Sequence, residues 1–321
     1  MKRVDSLDYR LLYQLDLDSS ATYTSIAEKL EVPSETIGFR VRRLVRLGVI
    51  KNFRTTIHVS RLNAYYYKLF YKFQHTTPSQ EKGIIKYLEQ NKMISYLASL
   101  DGRYDLTFLI VAKNYLDLKE FLVSFKNKYG SCFFEQEIMT LIGVHRFNLR
   151  IFNPQGEALH TRYPENLSSV RLDSLDRSIL PIVASNSRKS FSDMAKINGV
   201  HENVIRYHIR RLKESAVIGT AVLDINFELL GMIHYQIAIA LTNQSITEEI
   251  INFALTIPES TFATVTLGKY DLILEFVVAK QGEMTDIIDK IKEKFSISIM
   301  AQDIFVLHER SVNWLPSELV A

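Results

Sequence analysis

The chain of 321 residues contains a single cysteine, Cys132. That rules out an intrachain disulfide framework and suits a reducing compartment. Its flank, SCFFEQEIM, reads as a strand, so a buried structural thiol is expected there and not a nucleophile. No apolar run approaches the ~18 residues that span a bilayer, so no membrane partner is expected. The opening MKRVDSLDYRLL has no apolar core before its acidic residues, so no signal peptide is expected either. A large excess of charge of one sign is also missing. The net charge is +3, and any nucleic-acid partner has to be met by local clustering. The eight histidines show no H-x-x-x-H or Cys/His spacing, and no glycine loop of the phosphate-binding kind occurs. The expectation is therefore no metal, no cofactor and no catalytic residue. At 47% hydrophobic and 23% charged residues the composition is that of a globular protein long enough for two or more domains.

What is present is a repeat. VDSLDYRLL at 4–12 returns as LDSLDRSIL at 172–180, a shift of 168 residues. At that shift Ala27 falls on Ala195, Val32 on Val200, Ile37 on Ile205, and RRL at 42–44 on RRL at 210–212. GRYDLTFLIVAK (102–113) then matches GKYDLILEFVVAK (268–280) at a shift of 166. Each copy opens with an Asp followed three residues later by another, a capping-box pattern ahead of an apolar run. Three short helices follow, the third ending at Gly48 in the first copy, with a tight turn between the last two, which is a helix-turn-helix pattern. The hydrophobic period then changes from 3.6 to 2, and strands and helices alternate as βαββαβ. The predicted fold is α+β: two winged helix-turn-helix domains and two ferredoxin-like βαββαβ domains in tandem repeat. The expected boundaries are 1–60 and 61–150 for the first pair, 151–170 for a linker rich in turn residues, 171–228 and 229–312 for the second pair, and 313–321 for a tail. In AYYYKLFYKF (64–73), Tyr65, Tyr67, Leu69, Tyr71 and Phe73 share a face. That face is expected to pack on a partner sheet and not to stack single-stranded bases.

The third helix of the first copy, within TIGFRVRRLVRLGVI, carries Arg40, Arg42, Arg43 and Arg46. At about 100° per residue, Ile37, Val41 and Leu44 form a buried stripe and Glu35, Phe39, Arg42, Arg43 and Arg46 lie opposite. In the copy Ile205, Ile209 and Leu212 are the stripe, Asn203, Tyr207, Arg210, Arg211 and Glu214 face out, and Arg40 and His208 sit on matching flanks. A basic face is often just a solvated one. Here residues 34–54 hold six Lys/Arg against one acidic residue, and the helix is the element that enters a major groove. Double-stranded DNA is therefore the expected partner. The expected contacts come from Ser34, Glu35, Thr36, Phe39, Arg40, Arg42, Arg43 and Arg46, then from Asn203, Arg206, Tyr207, Arg210 and Arg211. Residues 202–222 hold four Lys/Arg against two acidic residues, so the second helix is the weaker binder. Divergence between Glu35 and Asn203 implies unlike half-sites.

LDSLDRSIL, SFSDMAKINGV, VIRYHIRRLKESAVI and GKYDL together resemble the Lrp/AsnC, or feast/famine, family of prokaryotic transcription regulators. The resemblance implies a sequence-specific DNA-binding regulator, nucleoid-associated in the cytoplasm, that senses a small molecule such as an amino acid. It places effector contacts at the G-x-Y-D turns, here Gly102, Tyr104 and Asp105, then Gly268, Tyr270 and Asp271. A DG hairpin needs no ligand, so these turns are also open to a purely structural role. Two units in one chain, where the family has one, imply an intrachain pseudo-dimer, with further homo-oligomers possible. Siroheme decarboxylases resemble the same fold and also occur as two related units. They carry an aromatic-Pro-Tyr-Asn-Leu segment where this chain reads GRYDL and GKYDL. The expectation is thus that the chain is not an enzyme. A tetrapyrrole-modifying enzyme of that type, or an amino-acid sensor without DNA binding, stands as the alternative.

Overall fold

The computed structural model describes residues 4–165, 169–313, 315, 316 and 319. Residues 1–3 of the first expected domain, 166–168 of the linker, and 314, 317, 318, 320 and 321 of the tail lie outside the described residues.

The architecture is mixed α+β, with helix-turn-helix and ferredoxin-like units. The first run is α1 (Ser6–Leu17), α2 (Tyr23–Leu30), α3 (Ser34–Arg46), β1 (Ile50–Ile57), β2 (Tyr65–Phe73), α4 (Pro78–Glu89), β3 (Ile94–Asp101), β4 (Leu106–Ala112), α5 (Tyr115–Tyr129) and β5 (Phe133–Phe147). A short β6 (His160–Arg162) follows. The second run is α6 (Ser174–Ser185), α7 (Phe191–Asn198), α8 (Glu202–Glu214), β7 (Ile218–Ile225), β8 (Ile233–Leu241), α9 (Thr247–Thr256), β9 (Ser260–Leu267), β10 (Leu272–Val278), α10 (Gln281–Phe295) and β11 (Ile299–Val312).

Capping chemistry starts the helices where the aspartates fall. The Asp5 side chain accepts from the Asp8 amide, and the Asp8 side chain from the Asp5 amide, both at 3.0 Å. Asp173 and Asp176 form the same box. Thr22 and Ser190 cap α2 and α7. Asp8 does more than cap. It is fully buried and is bridged by Arg40, at 2.9 Å, and by Arg43. In the second unit His208, at 2.8 Å, and Arg211 bridge the equally buried Asp176. Each third helix is thus tied to the cap of its first.

The wings β1 and β7 pair antiparallel, from Ile50 opposite Ile225 to Ile57 opposite Ile218. Each strand serves both helical cores. Ile50, Leu223 and Ile225 pack with α1–α3, while Ile57, Val59 and Ile218 pack with α6–α8. The two helical units are therefore joined by one ribbon.

The remaining strands close a ring in the order β2-β4-β3-β11-β8-β10-β9-β5, with β5 returning to β2 and β6 added beside β5. The long strands make the closure. β5 pairs with β2 over its first half and with β9 of the other unit over its second; β11 pairs first with β8 and then with β3. Helices α4, α5, α9 and α10 cover the outside. Alternation along β2 sends Leu69 and Tyr71, with Tyr67 and Phe73 partly buried, under α4 and α5 against Phe108, Phe121 and Phe125. This corrects the expectation that the aromatic stripe meets a partner sheet. The helices claim that face, and the inter-sheet contact falls to the opposite one. There Phe70 sits 5.3 Å from Tyr104, 6.3 Å from Tyr270 and 5.3 Å from Phe305.

A polar seam finishes this end of the ring. Tyr104 OH donates to Glu135 at 2.8 Å, Lys269 Nζ donates to Tyr104 OH at 2.7 Å and lies 3.2 Å from Glu135, and Arg103 pairs with Glu135 at 2.9 Å. Tyr270 and Asp303 make the matching pair. Burial works to raise the Glu135 pKa, but hydrogen bonds from Tyr104, Arg103 and Lys269 outweigh it and hold the carboxyl at about 2.

Two outcomes follow from these contacts. Because the folded Glu135 titrates below its unfolded counterpart, its contribution is present above the ordinary carboxylate range and is lost as pH falls toward about 2. In urea unfolding, Glu135→Gln is expected to lower stability near neutral pH, and the gap from wild type should close on acidification. A gap independent of pH contradicts the seam. Asp8→Ala is expected to cost about 3 kcal/mol, since it removes the N3 half of the capping box and leaves Arg40 and Arg43 without their buried partner. A loss below about 1 kcal/mol contradicts that role for Asp8.

Candidate functional site

The helix faces fall where their periodicity puts them. Ile37, Val41, Leu44, Ile205, Ile209 and Leu212 are buried. Glu35, Phe39, Arg42, Arg46, Asn203, Arg206, Tyr207 and Arg210 are exposed, and Ser34 and Thr36 are half-buried. Phe39 and Tyr207 are the large apolar members, 57% and 53% exposed. The basic residues divide into two sets. Arg40, Arg43 and Arg211 are engaged by Asp5, Asp8, Asp173 and Asp176. The hydrogen bond from Arg40 holds the Asp5 carboxyl below its usual range. Arg206 is bridged to Glu202, and Arg210 lies 3.9 Å from Glu214. Arg42 and Arg46 carry the outward positive charge of α3. Asp173, Asp176 and His208 also bring possible metal-ligand atoms within 4.8 Å of one another. The guanidinium of Arg211 already lies on both carboxylates, so the cluster is built as an ion-paired helix cap.

The G-x-Y-D turns are occupied by the seam between the two units. Gly102 and Gly268 have φ of 147° and 148°. A Cβ on Gly102 would lie 2.7 Å from the Ile304 carbonyl oxygen, and one on Gly268 would lie 2.7 Å from Met139 Cγ. Each glycine therefore lets a strand of the other unit pass. Tyr104 and Tyr270 fill the interior. Asp105 accepts from the Phe73 amide and from Lys72 Nζ, both at 2.7 Å. Asp271 accepts from the Leu241 amide and from Gln244 Nε2, both at 2.7 Å. Both carboxylates are thus satisfied from within their own units.

The other end of the ring, beneath the β1–β7 ribbon, holds a cavity of about 200 Å³. Its lining comes from both units and is mainly apolar, with Tyr66, Tyr96, Tyr163, Phe147, Phe227 and Phe262 among the walls. A second cavity of about 310 Å³ adjoins it, sharing Tyr66, Leu141, Val144 and Tyr163. Charged groups enter from several strands. Arg54 of β1 pairs with Asp224 of β7, and Arg146 of β5 pairs with the buried Asp16 of α1. Lys68 of β2, 4% exposed, has Nζ 3.9 Å from Glu275 of β10. Glu275 accepts from Gln236 Nε2 at 2.8 Å and lies 3.2 Å from His234 Nε2.

Burial sets the acid–base state of these groups. It pushes Lys68 down, with Glu275 opposing, and lifts Tyr163 to about 12. It would raise Glu275 too, but the His234 hydrogen bond and the Lys68 charge, helped by Gln236, hold that carboxyl at about 2. The hydroxyls of Tyr96 and Tyr163 are buried and find no hydrogen-bond partner among the described residues. A buried polar group left this way costs ~1–3 kcal/mol, which a polar ligand group can relieve.

Sequence reasoning did not single out Lys68, His234 or Glu275. A signal was there. Lys68 interrupts the apolar run YYYKLFY, and Glu275 stands where the first copy has Leu109.

Comparisons with known proteins divide by length. A winged helix-turn-helix DNA-binding family matches residues 4–51. An uncharacterized HTH-type transcriptional regulator of Pyrococcus furiosus is 28% identical over 120 residues, 37% of this chain and 80% of that protein. An HTH-type transcriptional regulator of Pyrococcus horikoshii is 26% identical over 38% of this chain and 81% of that protein. The crystal structure of the siroheme decarboxylase NirDL aligns with 98% of this chain and 96% of its own, with TM-score 0.65 and 11% identity. The same enzyme in complex with an iron-uroporphyrin III analogue aligns at TM-score 0.63 and 12% identity, over 96% of this chain and 93% of that one. The whole-length arrangement is therefore one that an enzyme uses. This overturns the expectation that the chain is not an enzyme, and with it the description of the whole chain as a DNA-binding transcription regulator. The weak similarity to helix-turn-helix regulators supports a general DNA-binding role only, and identifies no effector. A winged helix-turn-helix, Lrp/AsnC-like fold covers roughly one-third to one-half of the chain, and the fold is one that regulators and a decarboxylase share.

Proposed function

We propose that this chain is a tetrapyrrole-modifying enzyme of the siroheme decarboxylase type, two fused units whose substrate occupies the cavities between the β1–β7 ribbon and the strand ring. The observation that carries this is the mainly apolar chamber itself. It is walled by both units and holds Lys68 together with the partnerless hydroxyls of Tyr96 and Tyr163. A macrocycle presents two apolar faces and a rim of carboxylates. Aromatic walls suit the faces, and buried cations suit the rim. Neither cavity alone matches a macrocycle in size, so the substrate would use both, across the wall of Tyr66, Leu141, Val144 and Tyr163. Whole-length likeness to a siroheme decarboxylase that has also been solved in complex with an iron-uroporphyrin III analogue supports the tetrapyrrole class of substrate.

The departure at GRYDL and GKYDL does not weigh against this, because those turns pack in the seam and do not line the chamber. Decarboxylation asks little of the protein in redox terms. The bond between carbon and carboxylate breaks, carbon dioxide leaves, and the electron pair left on carbon takes a proton. A dry chamber favours loss of the carboxylate charge, and a protonated side chain must stand by.

Titration with iron-uroporphyrin III, followed by visible absorption, tests the proposal. Saturable binding at one macrocycle per chain is expected. Leu141→Trp, which fills the shared wall, should weaken it by at least about tenfold while the circular dichroism spectrum stays unchanged. No spectral change in wild type, or equal binding by Leu141→Trp, contradicts the proposal.

A further inference from the structure

The two units pair their corresponding strands alike but do not place the same charges on them. Lys68 on β2 lies directly opposite Leu109 on β4, and in the second unit Gln236 on β8 lies directly opposite Glu275 on β10. The same alignment sets Tyr66 against His234. A homodimer would place identical groups on both walls of a shared chamber. This chain places a cation of one unit 3.9 Å from an anion of the other, and that anion accepts from Gln236 and lies 3.2 Å from His234 Nε2.

We propose that Lys68 anchors a carboxylate of the ligand and that Glu275, 3.9 Å away, opposes that carboxylate by like-charge repulsion and so limits the strength of the anchor. The substrate class rests on the function proposed above; the anchor rests on the chamber. Lys68 is available for this role. Among the described residues Glu275 is its one carboxylate within 4 Å, at 3.9 Å, and Glu275 is already served at shorter range by Gln236 and His234. The ammonium otherwise lies 5.5 Å from the ring of Phe70. A buried ammonium whose one ion-pair partner lies at 3.9 Å and is shared with other donors remains costly to stability, and an arriving carboxylate offsets that cost. Arg54 and Arg146, by contrast, are each closed on an aspartate and hold the ribbon and α1 in place.

The test uses the full chain, two probes and melting temperature. The probes are iron-uroporphyrin III, read by absorption, and 1-pyrenebutyrate, an apolar monocarboxylate read by fluorescence. Lys68→Met is expected to weaken both by about tenfold or more, the range of one charge-assisted hydrogen bond, with the melting temperature unchanged or raised. Lys68→Arg should restore most of the affinity, and Glu275→Gln should increase it. If wild type ignores the macrocycle but binds pyrenebutyrate in a Lys68-dependent way, the tetrapyrrole assignment fails and the anchor stands. The anchor is overturned if Lys68→Met binds both probes like wild type. It is equally overturned if binding and melting temperature fall together and Lys68→Arg rescues neither, since Lys68 is then a structural residue. Weaker binding by Glu275→Gln overturns the repulsion assigned to Glu275.

Discussion

An open four-stranded sheet has two unpaired edges, and the structure depends on how those edges are closed. Exposed edges invite pairing with any passing strand. Here each edge finds its mate inside the same chain, because β5 and β11 run long enough to leave their own sheets and pair across. Closure turns the uncovered sheet faces into an interior. That interior has to be filled or used. At one end Phe70, Tyr104, Tyr270 and Phe305 fill it. At the other the ribbon of β1 and β7 lies over it, and the space between is the chamber. The same ribbon joins the helical units, so helix-turn-helix, ring and chamber form one connected construction.

Much of the local structure was legible in the sequence because it is decided locally. Asp5 and Asp8, spaced three apart, cap α1 as that pattern requires. Ile37, Val41 and Leu44 are buried because a helix of 3.6 residues per turn leaves them no other face. The hidden parts depend on partners distant in the chain. Arg40 and Arg43 look like a binding surface until Asp8, more than thirty residues away, is seen beneath them. Gly102 looks like a hairpin glycine, yet what requires it is the backbone of Ile304. The stripe of Tyr67, Leu69 and Tyr71 could be predicted, but which layer covers it could not, since helices and a second sheet both want an apolar face.

The site illustrates a further limit. G-x-Y-D is the most recognisable phrase in each unit, and its residues serve the seam. Lys68 and Glu275, two of the charged residues lining the chamber, belong to no motif and stand where the two units differ. Repetition conserves what both units need for closure. A fused chain is free to diverge where only one copy must act, and a charge placed in an apolar strand is costly enough to stability to mark such a position.

The central claim is that the ligand lies between ribbon and ring. A crystal structure of the protein with iron-uroporphyrin III tests it most directly. The account predicts the macrocycle beneath the β1–β7 ribbon, in contact with Leu141 and Tyr163 and with a carboxylate at Lys68. A macrocycle at the Tyr104–Tyr270 end, or on the outer face of α3 or α8, would contradict it.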